Sequence, residues 1–236
     1  MKILAIETSC ARGSAALVED GRLIAVRARE QENAHAEGIP LLIDELMAEA
    51  GWRPSQLDRL AAGVGPGSFT GLRMGIAFLI GIAEGLDRPL IGVGSLRAMA
   101  AAAPPELAGL RCPLLDARRD ELFVAAYGAD GSEALAPCAV ARSSALELLR
   151  ARFGDALLLL GALPEVPPSP AGYRSPESDL PHAFWVARCA EHAPLDSGPV
   201  RPIYVREAVA ELPRLPPNPL TQSPLAQSPL AHGSRG

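Results

Sequence analysis

A glycine-rich run, Gly-Pro-Gly-Ser-Phe-Thr-Gly-Leu-Arg, occupies Gly65–Arg73 and joins an apolar strand-like segment to a long apolar stretch. Three glycines, one proline and two hydroxyl side chains in a single turn exceed what a chain reversal requires. Such a turn leaves backbone N–H groups open at the start of a helix, where phosphate or another anion binds. The lysine of the P-loop pattern GxxxxGKS or GxxxxGKT is missing. The run therefore predicts a strand, a turn and a helix with the backbone of a phosphate site but without its charge.

The N-terminal segment supplies another strand that ends in an acidic, hydroxyl-rich turn. Lys2–Ile6 has the pattern of a buried strand, and Glu7–Ser9 follows it directly. Two further strand patterns, Ala15–Val18 and Leu23–Val26, are joined by a turn at Gly21. The sequence therefore predicts a strand, a polar turn and a hairpin in that order.

Strand and helix patterns alternate through the first part of the chain, which is typical of a layered α/β fold. One amphipathic helix is predicted to end at Ala50, with Gly51 as its C-cap. A second helix is predicted over Thr70–Leu86. A strand at Leu90–Val93 and a short helix capped by Ser95 follow.

The second predicted helix is apolar on all sides over Met74–Ala83, whereas a surface helix of a globular protein shows a polar face. Two explanations remain open. All faces are buried in one core, or one face packs on the sheet and another on a partner protein. Glycines in pairs four residues apart, which permit the close approach of another helix, are Gly71 with Gly75 and Gly81 with Gly85.

The strand pattern of the N-terminal segment recurs more faintly further along. Cys112–Asp116 again ends in an acidic residue, Leu122–Tyr127 is strand-like, and Ala129–Gly131 matches the turn at Glu19–Gly21. The spacing predicts two related lobes, with chance similarity as the alternative.

The predicted lobes are residues 1–105 and a reduced second lobe over 106–212, in which Ala183–His192 forms the last helix. Residues 213–236 are rich in proline and contain two copies of Gln-Ser-Pro-Leu-Ala. Because this segment has little apolar surface to bury, we expect a disordered tail.

Composition excludes several classes of protein. The 236 residues suffice for two lobes with a core, and the net charge of -5 argues against a protein that grips nucleic acid by itself. The apolar run Met74–Ala83 is shorter than the roughly 20 residues that cross a bilayer, and no signal-peptide pattern is seen. We therefore expect a soluble, cytoplasmic protein with free thiols. The scattered cysteines, without a CxxC pair, are Cys10, Cys112, Cys138 and Cys189.

The order of strand, acidic-hydroxyl turn and hairpin resembles the first phosphate motif of the actin, Hsp70 and sugar-kinase superfamily. Together with Gly65–Arg73, the chain up to about Arg119 resembles the bacterial TsaB (YeaZ) family. The resemblance implies a two-lobed, ribonuclease H-like α/β fold with a reduced second lobe. It also implies a part in making threonylcarbamoyladenosine on tRNA, beside a TsaD-type enzyme that modifies N6 of the adenosine next to the anticodon.

The same resemblance implies a non-catalytic subunit that dimerises with the TsaD-type enzyme through the two long helices. A TsaE-type ATPase is the expected third member, tRNA is reached through the complex, and a homodimer is expected when the chain is alone. No membrane contact is expected. Leu46→Glu or Ile76→Glu is expected to abolish pairing with the TsaD-type enzyme. The residues predicted to form the partner interface are Ile39, Leu42, Ile43, Leu46, Gly71, Leu72, Gly75, Ile76 and Leu79.

Neither a metal nor a cofactor is expected to be required. TsaD-type enzymes bind metal through two histidines one helical turn apart, and here His35 matches the first position whereas Ile39 occupies the second. Glu7, Thr8 and Ser9 are the predicted cofactor-binding residues, as the remnant of a phosphate motif with at most weak binding of ATP or ADP. No catalytic residue is predicted.

The alternative is an active ATPase or small-molecule kinase of the same superfamily. Glu7 and Asp116 would then form a catalytic carboxylate pair, and alanine at either position would abolish ATP hydrolysis. Arg118 and Arg119 stand where a small glycine and hydroxyl turn is expected, and residues 154–206 show no adenosine motif. Acidic residues at strand ends also commonly cap turns.

Overall fold

Two five-stranded mixed sheets form the framework of the chain, which is described by a computed structural model. The first sheet has the order β3-β2-β1-β4-β5 and the second the order β8-β7-β6-β9-β10. The strands are β1 Lys2–Glu7, β2 Arg12–Glu19, β3 Arg22–Glu30, β4 Arg59–Gly63, β5 Leu90–Val93, β6 Leu110–Asp116, β7 Glu121–Tyr127, β8 Glu133–Ala141, β9 Leu157–Leu160 and β10 Gly172–Tyr173. The structure describes residues 1–30, 35–166, 172–173, 175, 178–195 and 198–205.

Both sheets are built in the same way. Each begins with three antiparallel strands in chain order, and its first strand then pairs in parallel with a later strand, to which the last strand adds in parallel. The prediction of two related lobes is thus confirmed by topology. The predicted disordered tail at 213–236 lies outside the described residues, and the predicted lobe boundary stays a prediction.

In the described part of the chain five α-helices cover the sheets, namely α1 His35–Ala50, α2 Phe69–Leu86, α3 Ser95–Ala101, α4 Ala145–Phe153 and α5 Ala183–Glu191. In chain order α1 corresponds to α4, and α3 to α5. The part of the second lobe that the structure describes has no counterpart of α2, and the 11 residues between β9 and β10 are fewer than the 18 of α2. The second lobe is therefore reduced, as expected.

The helices divide the first sheet into two packed faces. Helices α1 and α2 cover one face, with Leu46, Leu72 and Leu79 fully buried against it. Helix α5, although it follows the second lobe in sequence, covers the other face through Val186 and Ala190. Helix α3 packs on the second sheet, so α3 and α5 together fill the space between the lobes.

Two local predictions need correction. Gly94, not Ser95, is the N-cap of α3, and the Ser95 hydroxyl is buried and bonded elsewhere. Strand β8 was not predicted, because Pro137 interrupts its pattern. Proline is tolerated here since β8 lies at an edge of the second sheet, where one side of the backbone needs no partner.

By length and composition α2 could cross a membrane, since its 18 residues have a mean hydropathy of 1.4. In the fold, Leu72, Ile76 and Leu79 of this helix pack into the core of the first lobe. The apolar character of α2 therefore serves, on that side, to bury the sheet.

Candidate functional site

The glycine-rich turn, defined here as Gly65–Ser68, lies directly against the polar turn that follows β1. The backbone N–H of Ser68 donates to the carbonyl of Ser9 at 2.6 Å. A Cβ atom at Gly67 would stand 2.1 Å from that carbonyl oxygen, so only glycine permits this approach. One reason for the glycines is thus the packing of the two turns on each other.

Glu7 is fully buried between these turns and the start of α3. Its carboxylate accepts the backbone N–H of Ser9 at 2.6 Å and the hydroxyl of Ser95 at 2.7 Å. The Ser95 hydroxyl in turn accepts the N–H of Gly65 at 3.1 Å. A Cβ at Gly63 would lie 2.1 Å from the Glu7 carboxylate. Burial raises the pKa of the Glu7 carboxyl, and these hydrogen bonds oppose that rise only in part.

The start of α2 is closed by the chain itself. The Ser68 hydroxyl accepts the N–H of Gly71 at 3.2 Å and so caps the helix. The hydroxyl of Thr8 donates to the carbonyl of Gly71 at 2.9 Å. Thr8 and Ser9 are as deeply buried as Glu7. The residues predicted to bind a cofactor therefore lie together. The Thr8 hydroxyl, the Glu7 carboxylate and the Ser9 N–H are bonded to the protein, whereas the Ser9 hydroxyl is buried without a hydrogen-bond partner among the described residues.

The predicted partner interface needs correction, because its side chains face the interior of the chain. Apolar residues at helical spacing form the face of a helix that packs on its own sheet. The structure places every residue of the predicted interface on such a buried face of α1 or α2. A charge at Leu46 or Ile76 would therefore disturb the core instead of testing a surface. The buried residues concerned are Ile39, Leu42, Ile43, Leu46, Gly71, Leu72, Gly75, Ile76 and Leu79.

A different face of α2 is exposed. The stripe Phe69, Arg73, Ala77, Ile80 and Glu84 follows helical spacing along one side of the helix and is open to solvent throughout. Ile80 is 41% exposed, a large fraction for an aliphatic side chain in the middle of a helix. We call these five residues the outer stripe of α2. On α1 the neighbouring exposed apolar residue is Leu41, at 50%.

The two glycine pairs of α2 differ in burial, since Gly71 and Gly75 are buried and Gly81 and Gly85 are exposed. A Cβ at Gly75 would meet the Thr8 hydroxyl oxygen at 2.5 Å, so this glycine is required by the fold. At Gly81 and Gly85 nothing in the described part of the chain lies within 4 Å of a Cβ position, and both residues are exposed. The described residues therefore give no packing reason for glycine at either place, although glycine weakens a helix interior.

An apolar groove of about 410 Å³ runs between α1 and α2 at the surface. Sequence reasoning missed it, because helical spacing does not show where two helices diverge. Its lining is almost entirely hydrophobic, with Asp44 the charged exception. The apolar residues that line it include Pro40, Met47, Leu57, Phe78, Ile82 and Leu86.

A cluster of two rings and a guanidinium group lies where α2 begins. The rings of Phe69 and Tyr204 have centroids 5.4 Å apart, and Arg73 lies beside both. Tyr204 belongs to the C-terminal segment 199–205, which is held to the first lobe by a hydrogen bond from the N–H of Ile203 to the carbonyl of Val64 at 2.7 Å. Proximity of Tyr204 to α2 could not be predicted from sequence, since more than a hundred residues separate them.

The second lobe does not bring Asp116 into the same environment as Glu7. Asp116 is exposed, and its carboxylate accepts the N–H of Arg118 at 2.9 Å and an N–H of Arg142 at 3.1 Å. Arg142 also bonds Glu165 at 2.9 Å. Asp116 thus closes a turn and pairs with a cation, while Glu7 is enclosed in the first lobe.

In the part of the chain that the structure describes, no group of three or more His, Cys, Asp or Glu side chains is placed so that it could bind a metal ion. Ile39, one helical turn after His35, is buried in the first core. The side chain of His35 lies outside the described part.

Residues 26–151 match the profile of the family described as TsaD: tRNA N6-adenosine threonylcarbamoyltransferase. The tRNA threonylcarbamoyladenosine biosynthesis protein TsaB of Haemophilus influenzae is 41% identical over 103 residues, which cover 44% of this chain and 43% of that protein. A tRNA N6-adenosine threonylcarbamoyltransferase of Thermus thermophilus is 39% identical over 130 residues, 49% of this chain and 40% of that enzyme. The chain thus spans less than half the length of both curated relatives.

A solved structure matches nearly from end to end. It is a Pseudomonas aeruginosa protein described as similar to the peptidase YeaZ, with a TM-score of 0.70 and 28% identity. The match covers 87% of this chain and 99% of that protein. Both lobes of the fold are therefore shared with this structure, whereas the transferase is matched over a minority of its length.

Proposed function

The chain belongs to the TsaB (YeaZ) family, and on this premise we propose that it is the partner subunit of a TsaD-type tRNA N6-adenosine threonylcarbamoyltransferase. In this proposal the chain is not itself an enzyme. It pairs with the transferase and supports the transfer of a threonylcarbamoyl group to N6 of the adenosine beside the tRNA anticodon.

The observation that carries the pairing is the exposed side of α2. The outer stripe leaves Phe69 and Ile80 in solvent, and Gly81 and Gly85 keep the neighbouring surface free of side chains. Glycine in a helix interior lowers helix stability by about 1 kcal/mol relative to alanine, and no contact among the described residues compensates for this loss. A helix of a partner that approaches this surface closely would explain both features. With α1 beside α2, the expected contact is a four-helix bundle.

A supporting role is consistent with the state of the phosphate-type turns. The hydroxyl of Thr8 and the carboxylate of Glu7 bond to the protein, and Ser68 caps α2. We therefore propose that the chain needs no cofactor of its own and binds ATP or ADP weakly at most. No feature of the described residues favours the kinase or ATPase alternative.

The remaining members of the assembly follow from the same premise. We propose that a TsaE-type ATPase joins the pair and that tRNA is contacted through the complex, in the cytoplasm and without membrane contact. Without the transferase, the apolar side of α1 and α2 is expected to pair with a second copy of the chain, because an uncovered apolar patch tends to associate.

The test is co-purification of the full chain with the TsaD-type enzyme of the same cell, followed by threonylcarbamoyl transfer to tRNA with and without the chain. We expect a stable complex and transfer that depends on it. Ile80→Glu should abolish pairing because it places a charge in an apolar contact. Leu148→Glu is the matched control, since Leu148 is an exposed apolar residue on α4 of the other lobe.

Three results would contradict the proposal. One is the absence of a complex with the unaltered chain, another is full pairing by the Ile80→Glu variant, and the third is transfer that is equally fast without the chain. ATP hydrolysis by the purified chain that is lost in Glu7→Ala and Asp116→Ala would favour the kinase or ATPase alternative instead.

A further inference from the structure

The chain exposes few of its aromatic rings, and those it exposes lie together. It contains five Phe, two Trp and three Tyr, all within the described part. Only Phe69, at 43%, and Tyr204, at 47%, count as exposed, while the other eight are buried or half-buried. The two rings contact each other with an interplanar angle of 33°. Two exposed rings from distant parts of the chain thus form one patch.

Arg73 fixes this patch before any partner arrives. Its guanidinium carbon lies 3.8 Å from the centre of the Phe69 ring, and its Nε donates to the Tyr204 hydroxyl at 2.8 Å. Tyr204 is further held by its neighbour Ile203, whose N–H bonds the carbonyl of Val64. Rings that are already fixed lose little conformational freedom on binding, which is what an efficient anchor of an interface requires.

The patch continues the surface that the proposed function assigns to the transferase. Phe69 and Arg73 are the first two residues of the outer stripe, and Ala77 and Ile80 follow on the same side of α2. Tyr204 lies at the N-terminal end of that stripe. The surface is therefore composed of two chain segments, the helix and the C-terminal segment.

We infer that Phe69, Arg73 and Tyr204 form an anchor through which the chain contacts the TsaD-type enzyme, an inference that rests on the proposed function. Aromatic residues and arginine are the side chains that most often dominate the energy of protein interfaces. A protein partner fits better than RNA. The one cation of the cluster is engaged by both rings, and the stripe beyond it is apolar and ends at Glu84.

The experiment measures the dissociation constant between the full chain and the TsaD-type enzyme by calorimetry. Phe69→Ala and Tyr204→Ala are each expected to raise it by about tenfold or more. Tyr204→Phe keeps the ring but loses the bond to Arg73, so a rise of about threefold is expected. Leu148→Ala removes an exposed apolar side chain on α4 and should leave the dissociation constant unchanged. Thermal unfolding of each variant alone checks that the fold is kept.

The outcomes separate this inference from the proposed function. If Ile80→Glu abolishes pairing but both ring variants bind the enzyme as the unaltered chain does, the anchor is wrong and the proposed function stands. If the unaltered chain does not bind the enzyme, both fail together. Ring variants that bind the enzyme normally but lose ultraviolet crosslinks to tRNA would identify an RNA surface and overturn the inference.

Discussion

The Glu7 carboxylate accepts a hydrogen bond of 2.7 Å from the Ser95 hydroxyl, although 88 positions separate the two residues in the chain. The bond ties the end of β1 to the start of α3. Because the same hydroxyl accepts the N–H of Gly65, the glycine-rich turn is held in the same network. Groups that are suited to hold a phosphate therefore serve here to join three segments of the first lobe.

Glu7→Gln is expected to make the free energy of unfolding less sensitive to pH. Burial raises the pKa of Glu7 in the folded state, so its stabilising contribution is present below the unfolded pKa and is lost as the pH rises through the folded value. Glutamine is uncharged at every pH, and its amide oxygen can still accept a hydrogen bond such as the one that the Ser9 N–H donates to Glu7. The free energy of unfolding is measured by urea unfolding at pH 5 and pH 8. The value for Glu7→Gln minus the value for the unaltered chain should be more positive at pH 8 than at pH 5. An equal difference at both pH values would contradict a raised pKa of Glu7 in the folded state.

Gly81→Ala and Gly85→Ala are expected to stabilise the isolated chain by about 0.5–1 kcal/mol each, because a methyl group at either place would contact none of the described residues and favours the helix. The same changes should weaken pairing with the TsaD-type enzyme. Urea unfolding and a binding titration measure the two effects separately. Gly75→Ala is the internal comparison, since its methyl group would meet the Thr8 hydroxyl and should destabilise by about 1–3 kcal/mol. Stabilised variants that pair normally would show that these glycines serve no interface.

Arg59→Met is expected to destabilise the chain by about 2 kcal/mol. Arg59 is buried at the start of β4, and its guanidinium donates to the carbonyls of Ala190 and, at 3.1 Å, Ala193, where α5 ends. Without it these carbonyls lose a charged donor, although the Ala190 carbonyl still accepts the N–H of Ala193, and α5 loses a favourable charge at its C-terminus. Arg88→Met removes a bond from an exposed arginine to the carbonyl of Leu57, so it should change unfolding by less than about 0.5 kcal/mol. Equal effects of the two changes in urea unfolding would be evidence against this role of Arg59.

Protonation of His182 is expected to lower the free energy of unfolding as the pH falls below about 6.5. Burial, together with the charge of Arg12, lowers the pKa of His182 from 6.5 to about 4. Its Nδ1 accepts the N–H of Phe184 at 3.3 Å and caps α5, which the protonated ring cannot do. Because the pKa of His182 is lower in the folded state than in the unfolded state, its contribution to the free energy of unfolding is complete above pH 6.5 and is lost as the pH falls towards 4. By pH 4 the loss is about 2 kcal/mol, discounted for the part of the ring that solvent reaches.

His182→Asn tests this directly, because asparagine also caps helices but does not titrate. Urea unfolding at several values between pH 4 and 7 should show a smaller slope for the variant. Identical slopes would mean that the loss of stability at low pH comes from other groups.

Much of the fold could be predicted from local pattern. Apolar runs that end in polar turns, such as Lys2–Ile6, located most strands, and helical spacing located α1 and α2. The recurrence of a strand and an acidic turn at Asp116 indicated the second lobe, which topology confirms. The candidate surface could not be predicted in the same way. On α2, where Met74–Ala83 is apolar on all sides, spacing alone does not distinguish Ile76, which is buried, from Ile80, which is exposed.

The sequence by itself determined the order of strands and helices, the duplication of the lobes and the family, because these depend on periodicity and on motifs that are local in the chain. Tertiary structure decided which sides of α1 and α2 are buried, that Tyr204 meets Phe69 and Arg73, and that Glu7 is bonded to Ser95. The physical reason is that burial and long-range contacts depend on where the sheets lie relative to each helix. A helical segment that is apolar on every side does not show which of its sides the sheet covers.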